Sequence, residues 1–117
     1  MKILILDDEE LDLFINKKLL ALEFDVAGFT SIKEATNWAQ QNDFDIAVID
    51  YYLAPGVYAN HFLQQLKSIK GSNNFKSFVV SNYVDEKQSA ELKAAGFNEI
   101  IYKPLTLEGF KEKIKVH

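Results

Sequence analysis

A chain of 117 residues with 48% hydrophobic and 26% charged side chains has the proportions of one globular domain, long enough to bury roughly two thirds of its unfolded surface. Its net charge of −4 argues against a basic face for neutralising phosphates, so no direct nucleic-acid partner is expected. It has no cysteine, which excludes disulfides, zinc–thiolate centres and thiol nucleophiles.

The apolar run Ile3-Leu4-Ile5-Leu6 is too short for a secretory signal or a membrane span, and a cytoplasmic location without membrane insertion is expected. As part of Lys2 to Leu6 it reads instead as a buried strand, and it ends on the acidic pair Asp7-Asp8. Leu11, Phe14, Ile15 and Leu22 then fall on one helical face. Asp25 to Phe29 reads as the second strand. Ser31 and Glu34 have capping-box spacing at the head of a helix whose inner face carries Ile32, Ala35 and Ala39, with Trp38 partly buried on it. Asn42-Asp43 ends that helix, and Asp45 to Ile49 forms a third strand, closed by Asp50.

The third helix carries Phe62, Leu63, Leu66 and Ile69, with His61 as an ordinary polar residue, and Gly71-Ser72-Asn73-Asn74 is a loop. Phe78 to Ser81 is the fourth strand. Asp85 and Gln88 have the spacing of a capping box in which aspartate replaces the hydroxyl residue, and they open a helix running to Ala95. That helix has Leu92 as its only large apolar residue, so its docking energy is expected to be small and it is a candidate moving part. Glu99 to Tyr102 is the fifth strand, followed by Lys103-Pro104, where proline is expected to hold the chain extended. Phe110 and Ile114 mark the last helix.

Short apolar runs alternating with helical patterns are the rhythm of a parallel sheet covered on both faces. The fold expected is α/β: a doubly wound, flavodoxin-like (βα)5 domain over residues 1–117, with a five-stranded parallel sheet of order 2-1-3-4-5. In such a sheet the first and third strands are neighbours, and ligands bind beyond the carboxyl ends of the strands. Asp7, Asp8, Asp50, Ser81 and Lys103 all stand at those ends.

Each residue alone has a plain structural explanation: an acidic pair caps a helix, an aspartate opens a loop, a lysine is solvated, a serine forms a turn. Together they have a chemical consequence. Two carboxylates about 4 Å apart repel by roughly 4 kcal/mol at an effective dielectric near 20, so protons or a cation must compensate. Oxygen-only donors with room for water are what Mg²⁺ requires. Lys103 would be a tethered counter-charge over the same rim.

Acid pair, central aspartate, hydroxyl and Lys-Pro, in this order over the whole chain, closely resemble the receiver domain of two-component response regulators. The resemblance implies that Asp50 accepts a phosphoryl group from a phosphohistidine on a sensor histidine kinase or phosphotransfer protein. It implies Mg²⁺ held by Asp7, Asp8, Asp50 and the carbonyl of Tyr52, with Lys103 pairing to the phosphoryl oxygens and the Ser81 hydroxyl and Asn82 N–H stabilising the product. It further implies output by a phosphorylation-dependent change of conformation that alters binding to a downstream protein, without turnover catalysis.

The chain departs from the family's pattern in several places. Ile100 stands where an aromatic residue is usual, three residues before the lysine, and the aromatic Tyr102 is displaced towards it. After Asp50 the proline comes five residues on, as Pro55, and Tyr58 takes a position usually held by glycine. Asn82 and Tyr83 follow the hydroxyl, and Tyr52 and Tyr83 occupy positions that in the family flank the path of attacking water. A second expectation is therefore a degenerate receiver that binds other proteins without being phosphorylated. A phosphatase with an aspartyl nucleophile would want a second acid where Tyr52 stands, and a flavin carrier would want a phosphate-binding loop after the first strand that is lacking.

Overall fold

The computed structural model describes residues 1–117. Five strands lie parallel in one sheet: β1 (Lys2–Leu6), β2 (Asp25–Phe29), β3 (Ile46–Asp50), β6 (Lys76–Ser81) and β7 (Glu99–Tyr102). Their spatial order is β2-β1-β3-β6-β7, which is 2-1-3-4-5 counted over these five. A separate two-stranded antiparallel hairpin, β4 (Tyr52–Ala54) with β5 (Val57–Tyr58), follows β3. The helices are α1 (Glu10–Leu20), α2 (Ile32–Gln41), α3 (Ala59–Lys70), α4 (Glu86–Ala95) and α5 (Leu107–Val116). No helix is long and apolar enough to cross a membrane.

Alternation along the strands divides the interior into two halves. Leu4 and Leu6 of β1, Ala47 and Ile49 of β3, and Val79 of β6 face α2, α3 and α4, meeting Ala35, Ala39, Phe62, Leu63, Leu66 and Leu92. Ile3, Ile5, Ile46, Val48, Phe78, Val80 and Ile101 face the other way, towards Leu20 of α1 and Phe110 of α5. Phe110 is fully buried and meets Phe24 and Phe78 edge-on, with ring centroids 5.6 and 5.7 Å away. Trp38 is partly buried between Phe29 and Phe44, as expected.

The caps follow the sequence closely. Ser31 Oγ accepts from the Glu34 N–H, and Asp85 and Gln88 bond each other's backbone N–H reciprocally, at 2.7 and 2.9 Å. Leu92 is the one buried residue of α4. At the third helix, His61 Nδ1 accepts from the Tyr58 N–H, so this histidine closes the first turn of α3.

Helix α1 differs from the expectation. Leu11, Phe14, Ile15 and Leu22 are 52 to 73% exposed, while Leu13, Leu19 and Leu20 turn inward. The helix has two apolar stripes, and the packing is decided by β2. Gly28 has no Cβ, and one placed there would lie 2.9 Å from the Leu13 side chain. The Leu13 side chain uses the space a Cβ would take, so a larger residue at position 28 would make the end of that side chain shift.

Candidate functional site

Both acids following β1 are placed by that buried strand. Asp7 continues it, its N–H bonded to the Phe29 carbonyl, and only 3% of the residue is exposed. Its Oδ1 accepts from the Glu9 N–H at 3.0 Å. Neither acid caps α1: the N-cap is Glu9, without a side-chain bond. The plain capping explanation therefore does not apply here. Asp50 ends β3, which is buried along its whole length, and is itself 7% exposed. Since β1 and β3 are adjacent with Leu6 opposite Ile49, the two strand ends meet.

One ligand oxygen from each of Asp7, Asp8 and Asp50 can be chosen so that all three lie within 4.8 Å of one another. Asp8 is the most exposed of the set. Lys103 Nζ lies 2.7 Å from Asp50 Oδ1 and 3.8 Å from Asp12 Oδ2. Asp12, which has no distinguishing motif in the sequence, joins the rim from the first turn of α1.

The crowding appears in the proton affinities. Burial pushes Asp7 up from 3.8 to about 6, with a further push from the charges of Asp50 and Asp12, against the Glu9 N–H and Lys103. Burial also raises Asp50, and the Lys103 hydrogen bond and charge offset it only in part. Burial lowers Lys103, but its bond to Asp50 and the charges of Asp50, Asp7 and Asp12 outweigh this and leave it raised. Four carboxylates to one ammonium leave the rim under-neutralised, and a hard divalent cation on three closely spaced carboxylate oxygens fits both the donor chemistry and the missing charge.

Ser81 ends β6 as expected and is buried, but its hydroxyl donates to the Tyr83 carbonyl at 3.1 Å. In this arrangement it turns into its own loop. Tyr52, Tyr58 and Tyr83 are exposed around the rim, and the Tyr58 ring packs against Tyr51 and Tyr52 with centroids 5.3 and 5.9 Å away. Ile100, where an aromatic side chain would be usual, packs against the core below α4, while Tyr102 is 52% exposed. The Lys103–Pro104 peptide bond is cis, which the expectation of an extended chain there did not include.

Comparison with known proteins agrees with this geometry. The chain is similar to the CheY-like response regulator receiver domain protein of Methanospirillum hungatei, with a TM-score of 0.84 at 24% identity over 98% of this chain and 90% of that one. It is similar to a receiver domain protein from Clostridium thermocellum, with a TM-score of 0.84 at 23% identity over 98% and 91% of the chains. Chemotaxis protein CheY4 of Vibrio cholerae has a TM-score of 0.83 at 19% identity over 98% and 96%. These likenesses establish the shared fold. No curated protein sequence matches. The family model described as response regulator receiver domain matches residues 3–115, nearly the whole chain, and the protein belongs to that family.

Proposed function

We propose that the protein is a phosphoacceptor: Asp50 takes a phosphoryl group from a phosphohistidine on a histidine kinase or phosphotransfer protein. The observation that carries this reading is the convergence of Asp7, Asp8 and Asp50 within 4.8 Å beneath a lysine 2.7 Å from Asp50. In the transfer, an Asp50 carboxylate oxygen forms a bond to phosphorus while the phosphorus–nitrogen bond to the imidazole breaks. The departing nitrogen keeps the electron pair and takes a proton from solvent. Such chemistry asks for alignment and charge neutralisation more than for a strong acid or base.

Asp7, Asp8, Asp50 and the Tyr52 carbonyl would hold Mg²⁺, which when bound supplies positive charge to the phosphoryl oxygens. Lys103 supplies a second, fixed positive charge, and moves from the Asp50 carboxylate to a phosphoryl oxygen once the acyl phosphate forms. The Ser81 hydroxyl serves the product by rotating away from the Tyr83 carbonyl, beside the Asn82 N–H. The partner has an apolar surface to meet, because Leu11, Phe14 and Ile15 are exposed on α1, which starts at this rim. Output is a change of conformation that alters the binding of a downstream protein, so residues 1–117 act as a cytoplasmic switch with no turnover reaction of their own.

A phosphorylation-independent interaction module is the second reading. Ile100 at the usual aromatic position and the inward-turned Ser81 hydroxyl favour it. Intact-mass measurement after incubation with acetyl phosphate and Mg²⁺ separates the two. The phosphoacceptor gains one phosphoryl group and Asp50→Asn gains none; an unchanged wild-type mass leaves the interaction module.

A further inference from the structure

We propose that Tyr51, the residue next to the phosphoacceptor, passes the state of Asp50 to α4 through Gln88; the proposal rests on the phosphoacceptor reading above. The backbone of Tyr51 is pinned on both sides. Its N–H donates to the Val80 carbonyl at 2.9 Å, and its own carbonyl accepts from the Ala59 N–H at 2.8 Å, tying the end of β3 to β6 and to the start of α3. The side chain is therefore the part free to respond. Its ring is half-buried against the core and against Tyr58, and its hydroxyl is 3.5 Å from Gln88 Nε2, at the long end of hydrogen-bond range.

Gln88 has a second task. Its Oε1 accepts from the Asp85 N–H at 2.9 Å, while its own N–H donates to Asp85 Oδ1 at 2.7 Å. The side chain that closes the first turn of α4 is thus the one that touches Tyr51. Helix α4 is suited to respond, being fastened by Leu92 alone among buried residues and by Lys67 Nζ donating to the Ala95 carbonyl at its far end. A cleft of about 420 Å³ lined by Tyr51, Tyr58, His61, Gln88 and Leu92 leaves the ring space to swing.

Other candidate routes lack one end. The Ser81 hydroxyl bonds the Tyr83 carbonyl and no atom of α4, Ile100 has no polar group, and Tyr102 is 52% exposed, beside Ser89 and Lys93 of α4. Tyr51 is bonded in sequence to Asp50 and bridges to α4. A phosphoryl group on Asp50 adds bulk and charge at the end of β3, shifting the Tyr51 ring, so the long contact to Gln88 changes first and the α4 cap with it.

The test is amide hydrogen exchange across residues 86–95, with and without acetyl phosphate and Mg²⁺, on wild type, Tyr51→Phe and Asp85→Ala, with intact mass recorded on the same samples. Tyr51→Phe keeps the ring and the capping box and loses only the hydroxyl. It becomes phosphorylated as wild type does, while the phosphorylation-induced difference in α4 exchange falls, by up to about fivefold, the equilibrium factor of one well-formed neutral hydrogen bond. Asp85→Ala raises α4 exchange in both states and retains the difference. A phosphorylated Tyr51→Phe with the full wild-type difference overturns the Tyr51 route alone. A wild-type protein that gains no mass overturns the phosphoacceptor reading and this route with it.

Discussion

Lys103 Nζ lies 2.7 Å from Asp50 Oδ1, a charge-assisted hydrogen bond at the one point where a buried strand ends among four carboxylates. The Asp50 side chain is 8% exposed and that of Lys103 is 21%. Asp12, 3.8 Å from the same ammonium, is 46% exposed and worth correspondingly less.

Replacing Lys103 by alanine strands the Asp50 carboxylate in its buried position. Stability at neutral pH without divalent cation falls by about 1–3 kcal/mol, the cost of leaving a buried polar group without its partner. Urea unfolding measures it, and millimolar Mg²⁺ recovers part of the loss, since a ligand that binds only the folded state stabilises it. Asp12→Asn, by contrast, changes stability by less than about 1 kcal/mol.

The pH dependence runs opposite to that of a salt-bridged carboxylate. Asp7 has its folded-state pKa raised from 3.8 to about 6, so between those values the folded state holds more protons than the unfolded chain. Stability of the metal-free protein therefore falls as pH rises from about 4 to about 6 and levels off above, with Asp50 adding in the same direction. The Lys103 contribution stays intact throughout, because its raised pKa places its loss in the alkaline range. Asp7→Asn flattens the slope in chemical denaturation across that window and is more stable than wild type at pH 7. Mg²⁺ binding by the wild type weakens as pH drops through about 6, where Asp7 takes up its proton.

The proposed phosphoacceptor role gives the tyrosines around the rim a testable consequence for the lifetime of the phosphoryl group. Tyr52 is 47% exposed with its ring against Tyr58, whereas Tyr83 is 72% exposed. Tyr52→Ala with Tyr83→Ala shortens the aspartyl-phosphate lifetime several-fold by opening the path for water, with most of the effect from Tyr52. Following the decay of phosphorylated protein by mass after removal of the phosphodonor checks this. A lifetime in the double variant equal to or longer than that of wild type contradicts it.

The parts of the molecule governed by local rules were readable in the sequence. Strands β1, β3 and β6 are buried on both faces and so appear as unbroken apolar runs, and the caps at Ser31 and Asp85 satisfy backbone donors in their own turn. Parallel strand order then brings Asp7, Asp8, Asp50 and Lys103 together. Features set by distant contacts were not readable. Helix α1 offers two apolar stripes, and the one that packs carries Leu13, which lies over Gly28 of another element. Hairpin β4–β5 is too short for alternation, and it turns at Gly56, at φ +75°. The direction of the Ser81 hydroxyl depends on where the Tyr83 carbonyl falls, and the Tyr51–Gln88 contact spans 37 residues.

The central claim is that Asp50 is the group modified, and reductive trapping tests it most directly. Protein exposed to acetyl phosphate and Mg²⁺ is treated with borohydride, which reduces an acyl phosphate to the alcohol, then digested and sequenced by mass spectrometry. Conversion of the residue at position 50 to homoserine, with Asp7, Asp8 and Asp12 unchanged, is the result expected. Homoserine at another of these positions, or at none in a sample carrying a phosphoryl group, would contradict the account.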